Sequence, residues 1–151
     1  MRGANERKAR DMDSFARQLQ SHGMKATAQR MAVHRVMMER IHASADTVYE
    51  SIRGAGEVKI SKTSIYNILN DLADKGIYRR RLSSGSKMFF DINTHRHVHL
   101  YDTRNHEFLD VEADAVLKAV ESGLRRRRFR GYSMDDIDIQ ILCHPTRRKK
   151  I

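Results

Sequence analysis

Three histidines fall within five residues, His95-Arg96-His97-Val98-His99, in a chain that has eight histidines altogether. On an extended strand, residues 95, 97 and 99 point to the same side. Two imidazoles on one strand face can hold a divalent metal if a carboxylate joins them. Asp91 lies a few residues upstream and Asp110 lies on the stretch that returns alongside. The same spacing is also met by a polar strand face with no ion. A second set of residues has the chemistry of polyanion recognition. Lys62, Thr63, Ser64, Tyr66 and Asn67 follow Ser61, where a helix can begin, and present hydrogen-bond donors. Ile65, Ile68, Leu69 and Leu72 fall on the opposite side. A helix fits the major groove, and the residues of its first turns reach bases and phosphates. Arg79, Arg80, Arg81 and Lys87 follow, placed to meet flanking phosphates, and Lys25 and Arg30 stand near the start of an earlier helix.

These residues need a frame, and the patterning predicts one. From Asp13 the periodicity is helical, with Phe15, Ala16 and Leu19 on one face and Gly23 at the end. Thr27 caps a second helix carrying Val33, Val36 and Met37. Ser44 caps a third, with Asp46 in its first turn, Val48 and Ile52 inside, and Gly54 and Gly56 closing it. Ser61 opens the fourth and Gly76 ends it. Residues 77–82 and 87–91, joined by Ser83-Ser84-Gly85-Ser86, read as a basic hairpin. Short helices followed by such a hairpin describe a winged helix-turn-helix.

The second half changes period. Residues 97–101 alternate, Thr103-Arg104-Asn105 turn, and residues 108–111 return. Residues 112–122 read as a helix with Val116, Leu117 and Val120 apolar. Residues 134–142 alternate, with Ile137, Ile139 and Ile141 on one face and Asp136, Asp138 and Gln140 on the other. A small sheet with one helix buries little by itself, so it is expected to pair with a second copy. The fold class is α+β: a basic arm over residues 1–11, a winged-helix domain over 12–91, a small α/β dimerisation domain over 92–145, and a basic tail over 146–151. His22, His34, His106 and His144 are read as surface or capping residues, and Arg125 to Arg128 as a solvated loop.

Composition narrows the function. The chain has 151 residues, 40% of them hydrophobic, enough for one modest core or two small ones. It carries 29 Lys+Arg against 19 Asp+Glu, a net charge of +10, which favours a polyanionic partner, nucleic acid before an anionic membrane surface. No apolar run approaches the roughly 18 residues of a membrane span, and the basic N-terminus lacks the apolar stretch of a secretory signal. With a single cysteine, Cys143, neither an intramolecular disulfide nor a four-cysteine zinc site is available, which fits a reducing cytoplasm. Two other functions share these features. A metal-dependent nuclease or hydrolase also uses HxH with carboxylates, but it needs an open coordination position and a general base, and no HExxH, P-loop or nucleophile elbow is present. A non-specific nucleoid or RNA-binding protein explains the charge but not the His/Asp spacing.

Four stretches together resemble the ferric uptake regulator superfamily of bacterial transcription factors. They are Gly23-Met24-Lys25-Ala26-Thr27-Ala28-Gln29-Arg30, His42-Ala43-Ser44-Ala45-Asp46-Thr47-Val48-Tyr49, Ile60-Ser61-Lys62-Thr63-Ser64-Ile65-Tyr66-Asn67-Ile68-Leu69, and His97-Val98-His99-Leu100. The third is similar to the family's recognition helix. The resemblance implies a homodimer that binds an inverted-repeat operator in double-stranded DNA, with no enzymatic activity. It also implies a regulatory metal held by His42, Asp91, His97, His99 and Asp110, a ligand set suited to Fe²⁺, Mn²⁺ or Zn²⁺. The chain departs from most of the superfamily at the structural zinc. Asp102 and Asn105 stand where the first of two CxxC pairs would be, and Cys143 is single. Arg96 and Val98 replace residues that serve an additional metal site in some members. The loss of cysteines, the segment from His99 to Asp110 and the basic C-terminus resemble the iron response regulator branch. That likeness implies control of iron and haem genes, with haem a further ligand for His95, His97 or His99. Arg96 and Val98 interrupt the branch's usual histidine run, and His144 separates Cys143 from Pro145, so a Cys-Pro haem motif is absent. Peroxide-responsive or manganese- and zinc-responsive regulation is the alternative within the superfamily.

Overall fold

A computed structural model describes residues 11–147. The expected arm over 1–11 and tail over 146–151 therefore lie outside the described residues, apart from Asp11, Thr146 and Arg147. The chain divides into two compact units, Met1–His95 and Arg96–Ile151.

The first unit is built from capped helices and a three-stranded sheet. Helix α1 (Met12–Ser21) starts at Asp11, whose carboxylate accepts the Ser14 N–H, and buries Phe15 and Leu19. Helix α2 (Ala28–Arg40) is capped by Thr27, α3 (Ala45–Ala55) by Ser44, and α4 (Lys62–Asp74) by Ser61. In each case the hydroxyl accepts the N–H three residues on, which satisfies one of the donors that a helix start leaves open. Gly54 lies within α3, and the helix ends at Gly56 with φ +68, a left-handed conformation that glycine adopts without a Cβ clash. Strand β1 (His42–Ser44) separates α2 from α3, and the hairpin is β2 (Arg79–Leu82) and β3 (Met88–Asp91). The sheet order is β1-β3-β2, with both pairs antiparallel. Ile65, Leu69 and Leu72 of α4 meet Val33, Met37, Val48, Tyr78 and Phe90 in the core, as their spacing requires.

His34 is not a surface residue. It is fully buried, its ring stacks on Phe15 at 3.7 Å, and its Nδ1 lies 2.6 Å from the Tyr78 hydroxyl. The core thus contains a hydrogen-bonded His–Tyr pair, and periodicity alone could not separate it from an exposed polar position. Residues 92–95 stay with the first unit: Ile92 joins its core and donates its N–H to the Ile41 carbonyl.

The second unit has strands β4 (Val98–Asp102), β5 (Glu107–Val111) and β6 (Ile139–Cys143), with helix α5 (Asp114–Leu124). Strand β4 is central, antiparallel to β5 and parallel to β6. The strand expected from residue 134 begins only at Ile139, because Ile139 pairs with Val98, the first residue of β4, and no ladder continues beyond it. Ile141 is largely exposed, and α5 buries none of its residues completely. Leu109, Val116, Ile141 and Leu142 are therefore left exposed within a single chain, while Val98, Tyr101 and Phe108 are buried. Among the described residues, no helix is long and apolar enough to cross a membrane.

The His34–Tyr78 pair yields a stability prediction. Tyr78→Phe is expected to cost about 1–3 kcal/mol in chemical denaturation, because it removes one partner of a buried hydrogen bond. Burial also pushes the Tyr78 phenol well above its ordinary value. The unfolded chain ionises first, so wild-type stability should fall as pH rises past about 10, and the fall should be shallower in Tyr78→Phe.

Candidate metal centre and DNA surface

Each unit places a histidine directly across the strand ladder from an aspartate. In the first, His42 of β1 is the Cα partner of Asp91 of β3, and His42 Nε2 lies 3.4 Å from Asp91 Oδ2. Both side chains are buried. Ile41 sets up this pairing. It ends α2 at φ +65, a conformation strained for a β-branched residue by about 1–3 kcal/mol, and turns the chain sharply into β1. The Asp91 carboxylate is held on its other side: Oδ1 accepts the Asn93 N–H at 2.7 Å.

In the second unit, His99 of β4 is the Cα partner of Asp110 of β5. His97 precedes the strand and faces the same way. His97 Nε2 and His99 Nε2 lie 2.9 and 3.3 Å from the same oxygen, Asp110 Oδ1, and the two rings are 4.2 Å apart. His99 is fully buried, and its Nδ1 faces Asp138 at 3.9 Å. A carboxylate behind an imidazole fixes which nitrogen keeps its proton and so frees the other to ligate. Asp138 was legible only as the polar face of an alternating stretch, and its approach to His99 follows from the parallel β4–β6 pairing.

The separations suit an ion. Two donors about 2.1 Å from one metal at 90–109° stand about 3.0–3.4 Å apart. The His42–Asp91 and His97/His99–Asp110 spacings fall at or within 0.1 Å of that range. Neutral imidazole with carboxylate suits Fe²⁺, Mn²⁺ or Zn²⁺. His95 is half-buried at the end of the first unit. Asp102, which stands where the first cysteine pair was expected, organises its own turn. Its Oδ1 accepts the Arg104 and Asn105 N–H groups, its Oδ2 accepts Asn105 Nδ2, and Thr103 donates twice to the Cys143 carbonyl.

The residues expected to meet DNA divide into free and engaged groups. Lys25, Thr63, Tyr66 and Asn67 are exposed, Tyr66 to 49% with its ring edge-on to Phe90. Ser64 is half-buried, and its hydroxyl accepts from Ser61. Arg30 folds back to donate to the Lys25 carbonyl. Arg80 lies along α4, donating to Asn70 and Asp74. Lys62 pairs with Asp46. Arg79 and Arg81 do not project to meet flanking phosphates. Arg79 is half-buried and donates to the Thr94 carbonyl, and Arg81 is 3% exposed with its Nε 3.8 Å from Asp91 Oδ2. Alternation along β2 sends Arg80 outward and Arg81 inward. Arg125 to Arg128 are exposed.

The chain matches the sequence profile of the Ferric uptake regulator family over residues 21–141. It is 31% identical over 101 residues to the ferric uptake regulation protein of Vibrio cholerae, a match covering 65% of this chain and 67% of that protein. It is 31% identical over 91 residues to the peroxide-responsive repressor PerR of Staphylococcus aureus, covering 60% of this chain and 61% of that protein. The matched segment thus spans about two thirds or less of these curated relatives. In fold it is similar to the crystal structure of the Vibrio cholerae ferric uptake regulator, with TM-score 0.72 and 23% identity over 87% of this chain and 99% of that one.

The buried acid of the first unit can be tested without any metal. Asp91→Asn keeps the shape but removes the charge that faces His42 and Arg81. It is expected to lower the unfolding free energy of metal-free protein by about 1–3 kcal/mol, and an unchanged urea midpoint would show that the carboxylate contributes nothing to the fold.

Proposed function

Because the chain belongs to the ferric uptake regulator family, whose members are metal-responsive transcription regulators and not enzymes, we propose that it is a homodimeric, operator-binding regulator whose DNA affinity is set by one divalent transition metal. The observation that carries this reading is the pair of cross-strand His/Asp contacts, one in each unit, both at donor-to-donor distances that suit an ion. The first unit supplies His42 and Asp91, and the second supplies His97, His99 and Asp110. Neither set alone fills a coordination sphere of four to six. An ion drawing on both reaches five ligands, which leaves little room for catalysis at an open position. It also ties the DNA-reading unit to the unit that leaves Leu109, Val116, Ile141 and Leu142 exposed. Metal that favours one arrangement then shifts DNA affinity by its difference in affinity between arrangements.

On DNA, α4 enters the major groove. Thr63, Tyr66 and Asn67 reach base edges, while Lys25, Arg30, Lys62, Ser64 and Arg80 serve the backbone. In a dimer, two such helices read an inverted repeat with half-sites about 34–36 Å apart. The single cysteine and the self-sufficient Asp102 turn support the iron response regulator branch, and with it control of iron and haem genes. The full burial of His99 favours a compact ion over a haem macrocycle. Similarity to the peroxide-responsive repressor supports a second reading of the signal. Release of DNA on iron chelation identifies the first, and release on hydrogen peroxide with iron retained in solution identifies the second.

The metal assignment is tested with His97→Ala beside His22→Ala, whose ring caps α1 far along the sequence from the proposed ligands. His97→Ala is expected to lose stoichiometric metal and the roughly 5–150-fold metal dependence of DNA affinity typical of such coupling, while His22→Ala keeps both. Metal content and metal-responsive binding retained in both variants would overturn the assignment.

A further inference from the structure

One carboxylate already holds two cations of the proposed DNA surface. Lys62, the first residue of α4, places its Nζ 2.6 Å from Asp46 Oδ1, and Lys87, in the wing just before β3, places its Nζ 3.2 Å from Asp46 Oδ2. Asp46 belongs to the first turn of α3. Each oxygen therefore takes a different lysine, and three elements of the winged helix meet at one side chain. The hydrogen bonds from Lys62 and then Lys87 hold the Asp46 carboxyl below its ordinary range, so it stays charged, and the same contact raises Lys62. All three side chains are about half exposed. Pairs of this kind add little to folding stability, so their main consequence is for what approaches from solvent.

A carboxylate bridging two ammonium groups offers them what a DNA phosphate offers: two anionic oxygens at hydrogen-bond distance. A phosphate arriving at Lys62 and Lys87 must share or displace Asp46. On random DNA, binding is almost entirely phosphate neutralisation, and the protein is free to seek the register that satisfies most cations. On a cognate site, base contacts from α4 fix the register, and the two lysines can use only the phosphates that lie in reach.

We propose that Asp46 is an internal competitor for the DNA backbone, a specificity determinant that restrains Lys62 and Lys87 so that stable binding depends on base contacts. This rests on the reading of α4 and the wing as the DNA surface.

The test measures binding of the full chain, with manganese present, to a random duplex and to a duplex selected from a random pool by the wild type, across a salt series. Asp46→Asn is expected to bind the random duplex about tenfold more tightly and to steepen the slope of log K against log salt by about one to two. The selected duplex should gain less, so the ratio of the two affinities falls. Asp46→Glu, which keeps the carboxylate, should behave as wild type. Glu50→Gln makes the same charge change one turn further along α3, where the side chain acts on Lys62 through its charge, and should move the slope by less than half as much. In a Lys62→Met/Lys87→Met background, Asp46→Asn should move the slope no more than Glu50→Gln does. Weaker or unchanged random binding by Asp46→Asn, or an equal gain in the double-Met background, would overturn this inference while leaving the DNA reading intact. Failure of the wild type to enrich any duplex would instead overturn the DNA reading and the inference with it.

Discussion

Strand register is the constraint on which the candidate site depends. In both sheets an antiparallel ladder sets a histidine opposite an aspartate, His42 against Asp91 and His99 against Asp110. Side chains directly opposite each other share a face and stand about 5 Å apart at Cβ, close enough for an imidazole nitrogen to meet a carboxylate oxygen. A slip of one residue in either ladder would turn one partner to the opposite face. The hydrophobic partners on the same strands resist such a slip: Ala43 and Phe90 on β1 and β3, and Tyr101 and Phe108 on β4 and β5, are buried beside the polar pairs. The apolar core therefore sets the geometry of the polar site.

That geometry carries a cost in charge and in backbone. The Asp91 side chain is fully buried, and the Asn93 N–H, the His42 ring and the Arg81 guanidinium are among the groups around its carboxyl. Arg81 belongs to β2, the same strand that turns Arg80 outward along α4, so the carboxylate proposed as a metal ligand borders the wing directly. Ile41 accepts a positive φ immediately before His42. Backbone strain next to candidate ligands is the usual place for it, because surrounding packing over-determines the conformation.

The sequence revealed much of this frame and missed some of its consequences. Caps were legible because Thr27, Ser44 and Ser61 are hydroxyl residues standing just before apolar periodicity, a local signal with a local cause. The wing was legible from its turn residues. The third strand of its sheet was not: three residues between two helices carry no period, and β1 exists because β3 offers it a free edge. His34 and Arg81 were misread for a related reason. Both are polar types that read as exposed, and their burial depends on partners 44 and 10 positions away, Tyr78 and Asp91. Of the candidate ligands, His97 and His99 were visible by spacing. His42 entered through family resemblance, and Asp91 and Asp110, visible only as nearby acids, were assigned by it.

The central proposal is that one ion draws ligands from both units, and a distance distribution between them tests it most directly. Spin labels at Arg53→Cys on α3 and Lys118→Cys on α5, in a Cys143→Ser chain diluted with unlabelled protein, report the separation by pulsed dipolar spectroscopy. Zinc, which is diamagnetic, serves as the ion. The account predicts that stoichiometric zinc narrows the distribution in the otherwise wild-type chain and leaves it unchanged in His97→Ala. Stoichiometric zinc binding with the same distribution as metal-free protein would contradict it.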